Sequence, residues 1–163
     1  MGKRKVLLAS ILALALAAAP QAALAASYAD SVAGVEIYAT STLGIFAGSA
    51  SGDLPGAWYV TVLHTPLSGS PETATIVGGS FKLRTSDGAT TVLGAFTGGS
   101  VTQTGGFSEC ANQTYSVMGN LAISAPAPGT GTFSAVLTHY RTVIFGRCVT
   151  YAASVVGQVA LDY

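Results

Sequence analysis

The chain has 163 residues, half of them apolar, with only seven Lys and Arg against seven Asp and Glu. Ordinary soluble domains carry about 25% charged residues, so the surface here must be covered by Thr, Ser, Gly, Asn and Gln. Nothing in it clusters into the basic footprint that nucleic acid requires, and nucleic acid is excluded as a partner.

The N-terminus has the three parts of a secretory signal. Lys3, Arg4 and Lys5 precede an uncharged apolar run of fourteen residues, Val6 to Ala19, which Pro20 ends. A membrane-spanning helix needs about 20 such residues. Ala23-Leu24-Ala25 then offers the small-x-small pattern that signal peptidase accepts. Residues 1–25 are expected to be a cleaved signal peptide and 26–163 a single domain, secreted or held at the cell surface. The mature chain keeps four cations, Lys82, Arg84, Arg141 and Arg147, against all seven acids, a formal balance of −3. No polybasic segment remains to draw it to an anionic membrane, so no membrane partner is expected after cleavage. In an exported chain, Cys110 and Cys148 are expected to form one disulfide. On the chain-entropy account such a bridge contributes about 4 kcal/mol.

Beyond the signal no stretch carries a sustained helical period. Val, Ile, Thr, Tyr and Phe alternate in short runs bounded by Gly, Ser, Asp and Pro, the pattern of an all-β fold. Strands are predicted at Val32–Ala39, Leu43–Ala50, Ala57–His64, Thr73–Arg84, Ala89–Phe96 running on to Thr104, Gln113–Ser124, Thr132–Ile144 and Cys148–Tyr163. Gly78-Gly79 predicts a bulge or bend within its strand. Asp87-Gly88, between two such runs, predicts a hairpin with a type I′ turn. Glycines inside strands, at Gly44, Gly94, Gly119 and Gly157, fit a sheet that coils and closes. The expected fold is a single antiparallel β-barrel of about eight strands, with a β-sandwich as the alternative. A membrane barrel would need aromatic girdles at regular strand ends, which the tyrosines and Trp58 do not supply.

A faint echo runs through the chain. Gly56, Trp58, Val62 and His64 share the spacing of Gly131, Phe133, Leu137 and His139. Ser31-Val32-Ala33-Gly34 resembles Ser116-Val117-Met118-Gly119, and Ile76-Val77-Gly78 resembles Val155-Val156-Gly157. Duplication of a half-barrel and chance in a biased composition both account for it.

His64 and His139 are the only histidines, and the echo places them at related strand ends. Facing one cavity they would form an acid/base pair; otherwise they are hydrogen-bonded rim residues. No Asp, Glu or Cys adjoins either in sequence, so a tetrahedral metal site is not expected. Within Thr138-His139-Tyr140-Arg141, His139 and Arg141 share one strand face, where they would hold a carboxylate or phenolate. Asn112-Gln113-Thr114 matches the N-glycosylation acceptor. No phosphate loop, zinc motif or G-x-S-x-G is present, and the Gly-Gly pairs do not open helices. No cofactor is expected.

Gly129-Thr130-Gly131-Thr132-Phe133 resembles the Gly-Thr-Gly-x-Phe element carried late in the barrels of allene oxide cyclases and plant dirigent proteins. The resemblance covers those five residues together with length and strand count. It implies an eight-stranded barrel that holds a small apolar or phenolic ligand, in some members guiding a cyclisation or radical coupling. None of that class's catalytic residues finds a counterpart here. The chain is also similar in style to small exported bacterial proteins. The sequence thus favours a disulfide-stabilised barrel with a binding or structural role. A cofactor-free cyclase or isomerase is the alternative, working in the cavity with His139, Arg141 or a buried Tyr. A self-associating surface or matrix protein, pairing strands edge to edge between copies, is the third reading.

Overall fold

The structure is a computed structural model and describes residues 25–163; the predicted signal peptide lies outside the described residues but for Ala25. Eight antiparallel strands form one closed barrel. They are β1 (Ser27–Ala39), β2 (Leu43–Gly52), β3 (Gly56–His64), β4 (Thr73–Thr85), β5 (Thr91–Gly105), β6 (Gln113–Ala125), β7 (Gly129–Ile144) and β8 (Arg147–Asp162). Each strand pairs with its sequence neighbours, and β1 pairs with β8 from Ser27↔Asp162 to Val35↔Ser154. That last ladder excludes the sandwich. No helix occurs among the described residues.

Alternation decides which side chains fill the interior. Along β3, Trp58, Val60 and Val62 are buried while Tyr59 and Leu63 face out; along β7, Phe133, Ala135 and Leu137 are buried. Outward positions mix Ser, Thr, Lys, Asn and Gln, as in Ser80, Lys82, Ser116, Asn120, Thr132, Ser134 and Gln158, with exposed apolar side chains such as Val35, Val77, Met118, Val136 and Val156. The apolar interior differs from the polar lumen of a membrane barrel. The waist holds Trp58 edge-on to Phe133 at 6.4 Å, and Phe96 edge-on to the same ring at 6.0 Å. Gly119 permits this, because a Cβ there would collide with the Phe96 ring. The bulge predicted at Gly78-Gly79 is present: the β3–β4 register shifts between Leu63 and His64, and Gly79 has φ +136°.

Odd-numbered strands run toward one end of the barrel and even-numbered strands away from it. At the end where β1 begins, the interior is plugged. Leu54, from the β2–β3 loop, is buried there, held by its N–H donating to Asp30 Oδ1 at 2.9 Å. Asp53 Oδ2 accepts from the N–H of Ala29 at 2.9 Å, so two acids tie this loop to β1. Tyr28 stacks on Tyr163 at 4.9 Å, and Ala26 and Tyr163 exchange backbone hydrogen bonds. The opposite end is the mouth. Here β7 and β8 outrun their neighbours: β6 leaves β7 at His139 and β1 leaves β8 at Ser154, but β7 and β8 stay paired out to Ile144↔Arg147. The predicted disulfide, Cys110–Cys148, joins this projecting hairpin to the β5–β6 loop, with Cα atoms 5.4 Å apart. Closure uses up most of the sheet edge, so strand edge for pairing between copies is left on the projection and on the end of β1 beyond Val35.

The Asp87-Gly88 hairpin forms with a different turn from the one expected. Among its residues only Gly88 has positive φ, +71°, whereas type I′ needs two in succession. Asp87 instead uses its carboxylate, accepting from the Thr85 hydroxyl at 2.6 Å and the Ala89 N–H at 2.9 Å, and Gly88 N–H closes on Thr85 O at 2.9 Å. These bonds hold the Asp87 carboxyl below its usual range, the Thr85 hydroxyl contributing most. The successive pair of positive φ occurs at the β7–β8 tip, at Phe145 (+50°) and Gly146 (+73°).

The echo is consistent with a four-strand repeat in two of its three parts. β3 matches β7 and β4 matches β8, each pair running in the same direction on opposite sides of the barrel, with Ile76 and Val155 both buried and Val77 and Val156 both exposed. The Ser31 and Ser116 stretches lie on β1 and β6, which run in opposite directions, so no half-barrel repeat relates them.

Candidate functional site

The interior is filled below the waist and partly empty above it. A cavity of about 80 Å³ opens at the mouth, with an apolar floor of Phe46, Val62, Val101, Val117 and Leu137. A void of about 20 Å³ lies beneath it and shares Phe46, Val62, Val117 and Leu137. Leu67, from the β3–β4 loop, leans over the opening. The polar groups at the cavity are Glu36, His64, Tyr115 and His139.

Each arrives there by strand parity. His64 follows Trp58, Val60 and Val62 on the inward face of β3, and His139 follows Phe133, Ala135 and Leu137 on that of β7. Glu36 follows Val32 and Gly34 on β1, and the register shift between Glu36 and Tyr38 then ends the regular ladder. Tyr115 opens the inward face of β6 and is fully buried. The two histidines, for which the sequence leaves open a shared cavity or hydrogen-bonded rim positions, both line this cavity.

His139 Nε2 lies 3.1 Å from Glu36 Oε2. The two atoms are at ion-pair distance, yet they are not aligned for a hydrogen bond, and Nε2 has no hydrogen-bond partner. β8 runs between them, but the residue opposite His139 there is Ala153, whose methyl is too short to keep imidazole and carboxylate apart. Tyr115 packs against the His139 ring at 5.4 Å and donates its hydroxyl to Glu72 Oε2 at 2.7 Å. Burial, and then the Glu72 bond, push the Tyr115 phenol well above its usual value, while the Arg141 charge pulls weakly the other way. The phenol is therefore a donor at any physiological pH.

Gln103 holds this arrangement from behind. Its buried amide accepts from the Glu72 N–H at 3.2 Å and donates to Gly105 O at 3.2 Å and Gly106 O at 3.4 Å, fixing the β3–β4 loop against the end of β5. His64 Nδ1 lies 2.7 Å from Thr65 O. A carbonyl only accepts, so the proton sits on Nδ1 and Nε2 is left as an acceptor.

Arg141 is not at the cavity. It stands one inward position beyond His139, past the barrel wall, with its N–H donating to Asn112 Oδ1 at 3.0 Å. The carboxamide of the glycosylation motif thus already pins β6 to β7. Among the described residues no cluster of three or more His, Cys, Asp or Glu could hold a metal.

Sequence reading did not find Glu36, Glu72 and Gln103. No acid adjoins either histidine along the chain, and the acid that does so in space comes from β1 across the barrel seam. Parity was the available signal: Glu36 shares the inward face of β1 with Val32 and Gly34. No protein-family model matches this chain, and neither a curated protein nor a solved structure matches it.

Proposed function

We propose that this is an exported barrel that binds a small molecule at its mouth, with the apolar part of the ligand on Phe46, Val62 and Leu137 and a hydroxyl or phenolic head at Glu36 and His139. The carrying observation is the partnerless His139 Nε2 beside the Glu36 carboxylate, above a partly empty apolar chamber. A buried polar atom without a partner costs about 1–3 kcal/mol, and a ligand hydroxyl reaching both groups from the cavity side would remove that cost. Size limits the choice. About 80 Å³ is far below the roughly 300 Å³ of a site that encloses a drug-sized ligand. One ring or a short chain enters, and the rest of a larger molecule stays outside. The disulfide is compatible with an oxidising extracellular environment, and it supports export together with the N-terminal pattern. The five-residue resemblance to allene oxide cyclase and dirigent barrels points to the same ligand class.

Phenol is a suitable probe. Titrated into the isotope-labelled protein, it should shift amide signals of Val62, Val117 and Leu137 and leave Leu83 and Leu161 in place. His139→Phe, which keeps an aromatic ring but removes the nitrogens, should weaken binding by about tenfold, the equivalent of one hydrogen bond to a charged or partnerless group. Shifts scattered over the barrel, or unchanged affinity in His139→Phe, would overturn the reading.

The contact between Glu36 and His139 favours one further reading, a cofactor-free isomerase or cyclase. A carboxylate beside an imidazole is a competent general base in the same chamber. Glu36→Gln separates the two: in a binder it weakens phenol binding to a degree similar to His139→Phe and does no more, whereas in an enzyme turnover falls far more than binding does.

A further inference from the structure

We infer that the β7–β8 projection is a membrane-contact spike whose partner is the interface of an anionic phospholipid bilayer. The inference does not depend on what the cavity holds.

The tip is Phe145-Gly146, and Phe145 is completely exposed. Its φ of +50° is a conformation that a bulky residue adopts only at a cost and that Asn or Asp adopts easily. No packing repays that cost, because the ring touches no core. Neither turn geometry nor burial explains an aromatic residue at the apex. Val143 and Ile144, behind it on β7, are also largely exposed, and so is Phe107 on the loop stapled to this hairpin through Cys110. The projection is therefore apolar at its end and covalently braced at its side.

Three features favour a bilayer over a protein surface. The apolar residues Val143 to Phe145 cover about 7–10 Å at the rise of a strand, which matches the roughly 5–10 Å that interfacial elements penetrate. Arg147, opposite Ile144, and Arg141, four residues back from the apex, are two of the four cations outside the N-terminal segment. Arginines so placed extend their charge to lipid phosphates while their stems stay apolar. Tyr151, exposed on β8 beside Arg141, stands at headgroup depth, where tyrosine is favoured. The exposed acid at this end is Glu109, on the Phe107 loop; Glu36 and Glu72 are drawn into the mouth by His139 and Tyr115. The absence of a polybasic segment leaves only these two arginines for electrostatic attraction to the bilayer. Insertion of a rigid apolar tip is another route.

The test is co-sedimentation of the purified, oxidised protein with vesicles of phosphatidylcholine alone and with a minor share of phosphatidylglycerol. The protein should sediment with both, about fivefold or more strongly with the anionic set, following roughly 1 kcal/mol per arginine near the surface. Phe145→Asn suits the turn and should leave the melting temperature unchanged or higher, while binding falls about tenfold to a hundredfold, the value of burying one Phe. Arg147→Gln should lose about fivefold on anionic vesicles and little on neutral ones. The inference is overturned if the protein stays in the supernatant with both vesicle types, or if Phe145→Asn sediments as well as the parent chain. It is equally overturned if the tip instead drives dimerisation without lipid, abolished by Phe145→Asn, in a protein that ignores vesicles.

Discussion

The two ends of the barrel are built from the same alternating strands and serve opposite ends. At the plugged end, acids act as ties: Asp30 and Asp53 accept backbone N–H groups and hold Leu54 in the interior. At the mouth, acids face side chains that can exchange protons or ligands, Glu36 toward His139 and Glu72 toward Tyr115. A carboxylate tied to backbone N–H groups is committed to the fold, even though the second Asp30 oxygen, Oδ2, has no hydrogen-bond partner. One turned toward an imidazole with a free nitrogen is available for binding. The inward positions occupied by Leu83, Val92 and Leu161 below the waist become Glu36, His64, Tyr115 and His139 above it, and that replacement is what separates scaffold from site.

The largest effect that sharpens this contrast lies at the plugged end. Leu83→Ala removes a completely buried side chain and should lower unfolding free energy by about 2–5 kcal/mol in urea denaturation. The same experiment on His139→Phe should give a loss below about 1.5 kcal/mol, because volume is largely kept and a partnerless nitrogen is removed. Equal losses at the two positions would break the comparison. Next in size is the bridge. Replacing both Cys110 and Cys148 with Ser opens a crosslink spanning 38 residues and should cost about 4 kcal/mol at most on the entropy account. Hydrogen exchange should then rise in β7–β8 beyond His139 while the plugged end keeps its protection.

A smaller effect comes from Tyr115. Its phenol is raised above the ordinary 10.0, so the folded barrel holds that proton more tightly than the unfolded chain. The associated stability is complete below pH 10 and is lost as pH rises from there toward the folded value. Alkaline unfolding of the parent protein should therefore steepen above about pH 10, and Tyr115→Phe should remove part of that slope. An unchanged slope would mean that the phenol is not shielded as the geometry requires.

The strands were legible because an inward face of Val, Ile, Phe and Trp alternating with Ser and Thr leaves little choice of structure. Gly119 announced close packing because nothing larger fits beside Phe96. Parity puts His64 on the same face as Trp58, Val60 and Val62, but that this face points inward is learned only from the closed barrel. Three things were hidden. The start of β1, Ser27 to Ser31, is polar and becomes a strand only because β8 lies beside it. Glu36 meets His139 across the seam, a contact between residues a hundred positions apart that no local spacing encodes. The turns misled: Asp87-Gly88 carries the strongest local preference for a type I′ turn but is held otherwise by Asp87's own carboxylate. Phe145-Gly146, with a weaker preference, takes both positive φ values because the ladder on either side requires them.

The seam itself has a consequence for how the barrel assembles. Every strand pairing but one joins neighbours along the chain, and the exception, β1 with β8, brings together the two extremes of the domain. Seven hairpins can form by short, entropically inexpensive loops, but the circle closes only when β8 is available. Until then the growing sheet carries two naked edges, β1 throughout and whichever strand was added last. Because synthesis runs from the N-terminus, β1 is made first and waits longest for its partner. The interval before closure is the time of greatest exposure to misassociation, and its length is set by how quickly the last sixteen-residue strand follows.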